Sequence, residues 1–122
     1  MISLFFVFLA GIFNAIMDVL RFHYSTSIFS KWKNQNWINP SLSWNNKWKP
    51  KSKLGDLIMS TVLVWVTDFW HLSKFIMLLL LFSAVVFYQP LVNWWVDLII
   101  FYCTFTITFE IFFSRVFKLK KY

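Results

Sequence analysis

Glycine, proline and cysteine are scarce in this 122-residue chain, which contains two glycines, three prolines and one cysteine. So few helix-breaking residues favour long helices, and the polar alternation that a transmembrane β-barrel requires is missing from the sequence. The single cysteine, Cys103, cannot form an internal disulfide, and an inert, buried thiol is expected. Charge is also scarce, because 14% of the residues are charged, whereas soluble domains contain about 25%. These absences argue against a soluble globular domain.

Apolar and aromatic residues dominate what is present, at 59% and 23% of the chain respectively. A chain of this length forms too small a core to bury so much apolar surface, so lipid is the expected solvent. We therefore predict an all-α membrane protein. It should contain three transmembrane helices, with an amphipathic interfacial helix or extension before the second span.

Apolar runs long enough to cross a bilayer alternate with polar segments along the chain. The second run contains about 35 residues and would be roughly 50 Å long as one helix, so it exceeds the bilayer. We predict an amphipathic helix at the interface over 54–68 and the span itself over 69–88, with one continuous, tilted helix as the alternative. The predicted segments are transmembrane helix 1 (1–22), a basic, Trp-rich cytoplasmic or interfacial loop (23–53), an amphipathic segment leading into transmembrane helix 2 (54–89), transmembrane helix 3 (90–113) and a basic cytoplasmic tail (114–122).

The basic residues are concentrated in two of these segments. Seven lie from Arg21 to Lys53, four lie in the tail, and none lies in the turn at Gln89 and Pro90. Cytoplasmic loops of membrane proteins carry the excess of Lys and Arg. The sequence therefore predicts a multi-pass protein of the bacterial cytoplasmic (inner) membrane, with the amino terminus outside and both the loop and the carboxyl terminus in the cytoplasm.

Ionisable side chains within membrane spans are costly, and for that reason they mark candidate functional sites. At 1.5 Å per residue, five of them lie roughly 21 to 30 Å below the outer face, near the cytoplasmic edge of the hydrocarbon core: Asp18, Asp68, His71, Lys74 and Glu110. This depth predicts that Asp18 lies within reach of Asp68, His71 and Lys74. Glu110 or Arg115 is expected close to this group. Asp97 lies near the outer end of its span, where ordinary solvation is expected. The candidate site residues are His71, Asp68, Lys74, Asp18, His23 and Glu110.

Three hypotheses apply to this layer of charges. The first is a structural network in which Lys74 and Arg21 extend toward the interface and pair with carboxylates. The second is a proton- or ligand-handling site, because Asp68 is suitably spaced to orient the imidazole of His71. The third is a metal site, although no His-x-x-x-His motif or cysteine pair supports it, and no cofactor is expected. Its candidate ligands are His23, His71, Asp18 and Asp68.

Lysine and tryptophan alternate in the segment from 31 to 53. Such a segment suits single-stranded nucleic acid, where bases stack on the rings, or an anionic membrane surface, where tryptophan lies at headgroup level. Because both ends of the loop join membrane spans, we favour anionic lipid headgroups as the partner over nucleic acid. The residues predicted to contact the lipid surface are Lys31, Trp32, Lys33, Trp37, Trp44, Lys47, Trp48 and Lys49.

The sequence contains no glycine-rich phosphate loop, nucleophile elbow or zinc signature. We interpret the chain as a small polytopic membrane protein that is an accessory or transport-associated subunit, with an ionisable cluster on the cytoplasmic side. The charged stripes of a thin helical bundle need water or protein neighbours, so we expect a homo-oligomer or a larger membrane partner. A membrane-embedded enzyme that uses the Asp/His cluster is an alternative function.

A second alternative comes from the general layout of the chain. Its size, its three predicted spans with the amino terminus outside, and the basic tail with Lys118-Leu119-Lys120-Lys121 resemble class-one phage holins. The resemblance implies a membrane-permeabilising lysis protein. The long loop rich in tryptophan and lysine is not a feature that a holin requires.

Overall fold

The computed structural model describes residues 1–49 and 52–119, and all regular elements within these ranges are helical. Three helices are long and apolar enough to cross a membrane, which confirms the prediction of an all-α chain with three such helices. The α-helices are α1 (Ile2–Phe22), α2 (Gln35–Ile38), α3 (Pro40–Ser43), α4 (Lys53–Ser60), α5 (Phe69–Val86) and α6 (Trp94–Ile111). Short 3-10 helices cover Tyr24–Thr26, Ile28–Lys31, Trp44–Trp48 and Val64–Val66, and a π-helical turn covers Phe112–Phe117.

Helix α1 is the centre of the bundle, since 44% of its span is buried, against 11% for each of the other two spans. The hydroxyl of Ser3 donates to the carbonyl oxygen of Phe87 at 2.8 Å, so the start of α1 meets the end of α5 and the two helices are antiparallel. Helix α6 packs on α1 at Gly11. A Cβ atom at this glycine would lie 2.9 Å from the carbonyl oxygen of Phe105 and 3.0 Å from the Cβ atom of Thr108. The close approach of α1 and α6 therefore requires glycine.

The outer faces of α5 and α6 are largely uncovered by the rest of the chain. Cys103 lies on such a face of α6 and is exposed, so the expectation of a buried thiol is wrong. The reason is that α6 packs on α1 along one side only, and Cys103 is on another side. These faces are apolar, as is typical of helix surfaces that meet lipid.

The long second apolar run is broken into two helices. Helix α4 ends at Ser60 and α5 begins at Phe69, with a 3-10 turn between them. Asp68 ends this connection, because its side chain accepts a hydrogen bond from the backbone N–H of His71 and so caps α5. The break agrees with a separate amphipathic helix before the span and excludes the continuous, tilted helix. Leu54 and Leu57 are exposed on α4, and the location of this face at a membrane interface stays a prediction.

The third span differs from its predicted limits at both ends. Helix α6 begins at Trp94, where the Asn93 side chain accepts a hydrogen bond from the backbone of Val96 at 3.1 Å. At the other end a π-helical turn continues to Phe117, inside the predicted tail. Phe117 is buried, with its ring centroid 5.3 Å from that of Phe29. Burial of the Phe117 ring favours a helical conformation beyond the predicted end of the third span at residue 113.

Residues 24–48, which we call the end cap, fold over one end of the bundle as a series of short helices. Phe29 is 1% exposed and packs edge-on against Phe69, with ring centroids 5.6 Å apart. Ile38 is also buried in this cluster, together with Val19 and Leu20 of α1. The predicted loop therefore contains its own apolar core, which it shares with the bundle.

Three long-range hydrogen bonds fix the end cap. The indole N–H of Trp37 donates to the carbonyl oxygen of Val66 at 3.1 Å, and the Asn46 amide donates to that of Thr67 at 2.9 Å. The backbone N–H of Leu119 donates to the carbonyl oxygen of Thr26 at 2.7 Å. The end cap and the carboxyl-terminal chain thus lie at the same end of the bundle.

Candidate functional site

A cleft of about 320 Å³ opens where the end cap meets the ends of two spans. Helix α1 contributes its last turn, the end cap contributes α3 and the residue after it, and the second span contributes its cap and first turn. The lining residues are Arg21, Pro40, Ser43, Trp44, Asp68, Trp70 and His71.

Asp68 and His71 form a hydrogen-bonded pair in this cleft. Asp68 is 3% exposed, and its Oδ1 accepts the backbone N–H of His71 at 2.9 Å. Its Oδ2 lies 2.6 Å from Nδ1 of the His71 ring, and the Thr67 hydroxyl donates to it at 3.4 Å. An aspartate at a helix N-cap faces the residue three positions later, so the spacing of Asp68 and His71 produces both contacts. The carboxylate thereby fixes the orientation of the imidazole.

Arg21 enters the cleft from the other span without a carboxylate partner. Among residues 1–49 and 52–119, the one ion pair within 4.0 Å is that between Asp68 and His71. The expected pairing of Arg21 and Lys74 with carboxylates is therefore not found in the described part of the chain. The Asp68 carboxylate is instead directed at the start of its own helix and at the His71 ring, and exposed Glu110 accepts a hydrogen bond from Ser114.

Each of the two tryptophans in the cleft has a lysine over its ring. The Lys47 Nζ atom lies 4.0 Å from the ring centroid of Trp44, and the Lys74 Nζ atom lies 5.5 Å from that of Trp70. Both distances suit cation–π contacts. Arg21 is therefore the one cation that lines the cleft with the Asp68 carboxylate, and two further cations lie over the rings of its tryptophans.

The other predicted site residues lie outside the cleft. The Asp18 side chain is half-buried and makes no hydrogen bond or ion pair with the residues that the structure describes. His23 packs edge-on against Phe113 at 5.4 Å, and exposed Glu110 accepts a hydrogen bond from Ser114. In the described ranges, no three His, Cys, Asp or Glu side chains converge to hold a metal ion. Within the described ranges, the structure thus joins Asp68 and His71 of the predicted layer by a hydrogen bond and shows no such contact between this pair and the other charged residues of the layer.

The residues predicted to contact lipid have different surroundings in the end cap. Trp32, Trp44 and Trp48 are exposed. Trp37 instead packs on Phe69, with ring centroids 5.5 Å apart, so part of its surface is covered by protein. The lysines of this set, Lys31, Lys33, Lys47 and Lys49, are exposed except for half-buried Lys47. Lipid contact by this surface stays a prediction.

Asp97 is a structural residue that the sequence did not reveal. It is 1% exposed, so the expectation of ordinary solvation is wrong. Its carboxylate accepts hydrogen bonds from the Tyr88 hydroxyl at 2.7 Å and from the backbone of Leu91 and Val92 at 2.9 and 3.1 Å. The hydrogen bond to Asp97 raises the pKa of Tyr88. Asp97 thereby closes the turn between the second and third spans. The sequence feature that indicates this role is the position of Asp97 in the first helical turn after the Asn93 cap.

Comparison with known proteins gave no match to a family, to a curated protein or to a solved structure.

Proposed function

We propose that this chain is an accessory, transport-associated subunit of a bacterial inner membrane, and that the cleft is its ligand- or proton-handling site on the cytoplasmic side. The observation that carries this proposal is that Arg21 of one span shares a cleft with the Asp68–His71 pair of another. Imidazole is the side chain suited to proton exchange near neutral pH, and a neighbouring carboxylate gives it a defined orientation.

The arrangement of charges supports a functional cleft over a purely structural network. A structural network would neutralise the cations with carboxylates, because an unpaired charge near the hydrocarbon core is costly. Arg21 and Lys74 have no such partner among the described residues. Arg21 instead lines an open cleft, and Lys74 lies over the ring of Trp70 at that cleft, so water or a ligand can neutralise the Arg21 charge.

The shape of the bundle supports a role as a subunit. An apolar groove of about 440 Å³ lies between the second and third spans, over Val7 of the first. Its walls include Leu81 and Val85 on one side and Phe101 and Phe105 on the other. Lipid or a neighbouring helix must fill such a groove in a membrane. The cytoplasmic orientation rests on the basic residues of the end cap and tail.

The alternatives have less support. For the membrane-embedded enzyme, Asp68 and His71 form a hydrogen-bonded pair in the cleft, but Asp18 and His23, the other residues of that hypothesis, do not line it. A holin does not require a folded end cap with a buried core such as that around Phe29.

The proposal predicts separate effects on function and abundance in the native host. We expect His71→Ala and Asp68→Asn to abolish complementation of a deletion strain while the chain inserts at normal abundance. Asn also caps helices, so Asp68→Asn keeps the start of α5 and changes the orientation of the imidazole. Glu110→Gln, which changes a carboxylate outside the cleft, is the matched control and should complement.

Immunoblots of membrane fractions and native gel electrophoresis give the readouts. The wild-type chain should migrate in a complex larger than the monomer, and vesicles that contain it alone should retain an encapsulated dye. Reduced abundance of both cleft variants would indicate a structural network instead, and dye release would favour the holin. Migration as a monomer would contradict a subunit role.

A further inference from the structure

The cleft has an excess of positive charge. Its one lining carboxylate, that of Asp68, is already engaged by His71 and by the start of α5. Arg21 lines the cleft, and Lys47 and Lys74 lie over its two tryptophan rings. An anion is therefore the ligand that the electrostatics favour.

Three residues whose side chains carry hydrogen-bond donors line the same space. The Arg21 guanidinium presents several N–H groups in a planar fork that matches two oxygens of a phosphate. Ser43 adds a hydroxyl from α3. His71 adds an imidazole ring whose orientation is held by the hydrogen bond between its Nδ1 atom and Asp68. Guanidinium, hydroxyl and imidazole groups together are typical of phosphate sites.

The walls suit a phosphate that carries an organic group. Trp44 and Trp70 supply flat apolar surfaces, and Pro40 adds a third. The volume of about 320 Å³ exceeds the space of a bare phosphate ion and falls within the usual range for small-molecule sites. The cleft lies at the end of the spans, where lipid headgroups would be located.

We propose that the cleft binds a phosphate group, either that of an anionic glycerophospholipid headgroup or that of free phosphate. The site lies between Arg21, Ser43 and His71, with Trp44 and Trp70 as its walls. This inference rests on the proposed function, because it names the ligand class of the cleft described there.

The test uses the full chain in nanodiscs and compares two arginines. Arg21→Gln removes the guanidinium group of the arginine that lines the cleft. Arg115→Gln removes the guanidinium group of an exposed arginine that does not line it. In phosphatidylcholine nanodiscs, binding of inorganic phosphate is measured by calorimetry. In mixed nanodiscs, native mass spectrometry measures how much phosphatidylglycerol the released protein retains. We expect Arg21→Gln to weaken the binding by about ten-fold or more, and Arg115→Gln to leave it within about two-fold.

Lys47→Gln supplies a second variant in case Arg21→Gln does not fold, with exposed Lys33→Gln as its control. Lys47→Gln should weaken binding more than Lys33→Gln does. Phosphate binding with this variant order identifies free phosphate as a ligand, and lipid retention alone identifies the headgroup. Equal effects of the cleft variants and their controls, or no binding in either arm, would overturn the proposal. Because neither arm involves a partner protein, failure here leaves the test of complex formation intact.

Discussion

Replacing Phe29 with alanine is expected to destabilise the end cap by about 3–5 kcal/mol, the usual cost of removing a buried phenylalanine. The Phe29 ring is 1% exposed and lies between the rings of Phe69 and Phe117. The end cap lies beyond the ends of the three apolar helices, so we expect the core groups that opening uncovers to meet water, and the full transfer cost then applies. The substitution should therefore open the end cap without removing the spans from the membrane.

Limited proteolysis in nanodiscs measures this opening, because cleavage follows the population of the open form when opening is fast. The Phe29→Ala variant should be cut within residues 24–48 roughly two to four orders of magnitude faster than the wild type. Phe5→Ala is the matched control, because the Phe5 side chain is 57% exposed on α1. Equal cleavage rates for the two variants would show that the end cap is not held by this core.

Replacing Gly11 with valine is expected to force α1 and α6 apart. A Cβ atom there would lie 2.9 Å from the backbone oxygen of Phe105, which cannot rotate away as a side chain could. Overpacking of this kind costs about 1–3 kcal/mol or more. Valine also adds two methyl groups beyond the Cβ atom, so the helices must separate or slide.

Thermal unfolding in detergent, monitored by circular dichroism, measures this effect. Cys103→Val is the matched control, because it places the same side chain on an exposed face of α6. The Gly11 variant should unfold at a clearly lower temperature than the wild type, while the Cys103 variant should not. An unchanged midpoint for Gly11→Val would contradict the close packing of α1 on α6.

Several features of the fold follow from local sequence. The lengths of the apolar runs give three helices that can span a membrane. The amphipathic first half of the second run and its overshoot indicate a break before Phe69, which the structure contains. The spacing of Asp68 and His71 brings the two side chains together within one helical turn. This contact could be predicted from the sequence because it does not depend on the position of any other helix.

Other features depend on how helices are rotated about their axes, which depth counting does not provide. Asp18 and His71 have similar predicted depths, yet Arg21 lines the cleft with His71 and Asp18 does not. The burial of Asp97 depends on the path of the turn that precedes it, because its partners are the Tyr88 hydroxyl and two backbone groups. Long-range packing likewise determines that Phe29 of the predicted loop enters the core between the end cap and the bundle.

Cysteine labelling in intact cells tests most directly whether the cleft lies at the cytoplasmic end of a three-span bundle. In a Cys103→Ser background, Asn45→Cys marks the end cap and Gln89→Cys marks the turn between the second and third spans. A membrane-impermeant maleimide should label the Gln89 variant in intact cells, and should label the Asn45 variant only after the membrane is permeabilised. Labelling of the Asn45 variant in intact cells would contradict the cytoplasmic location of the cleft.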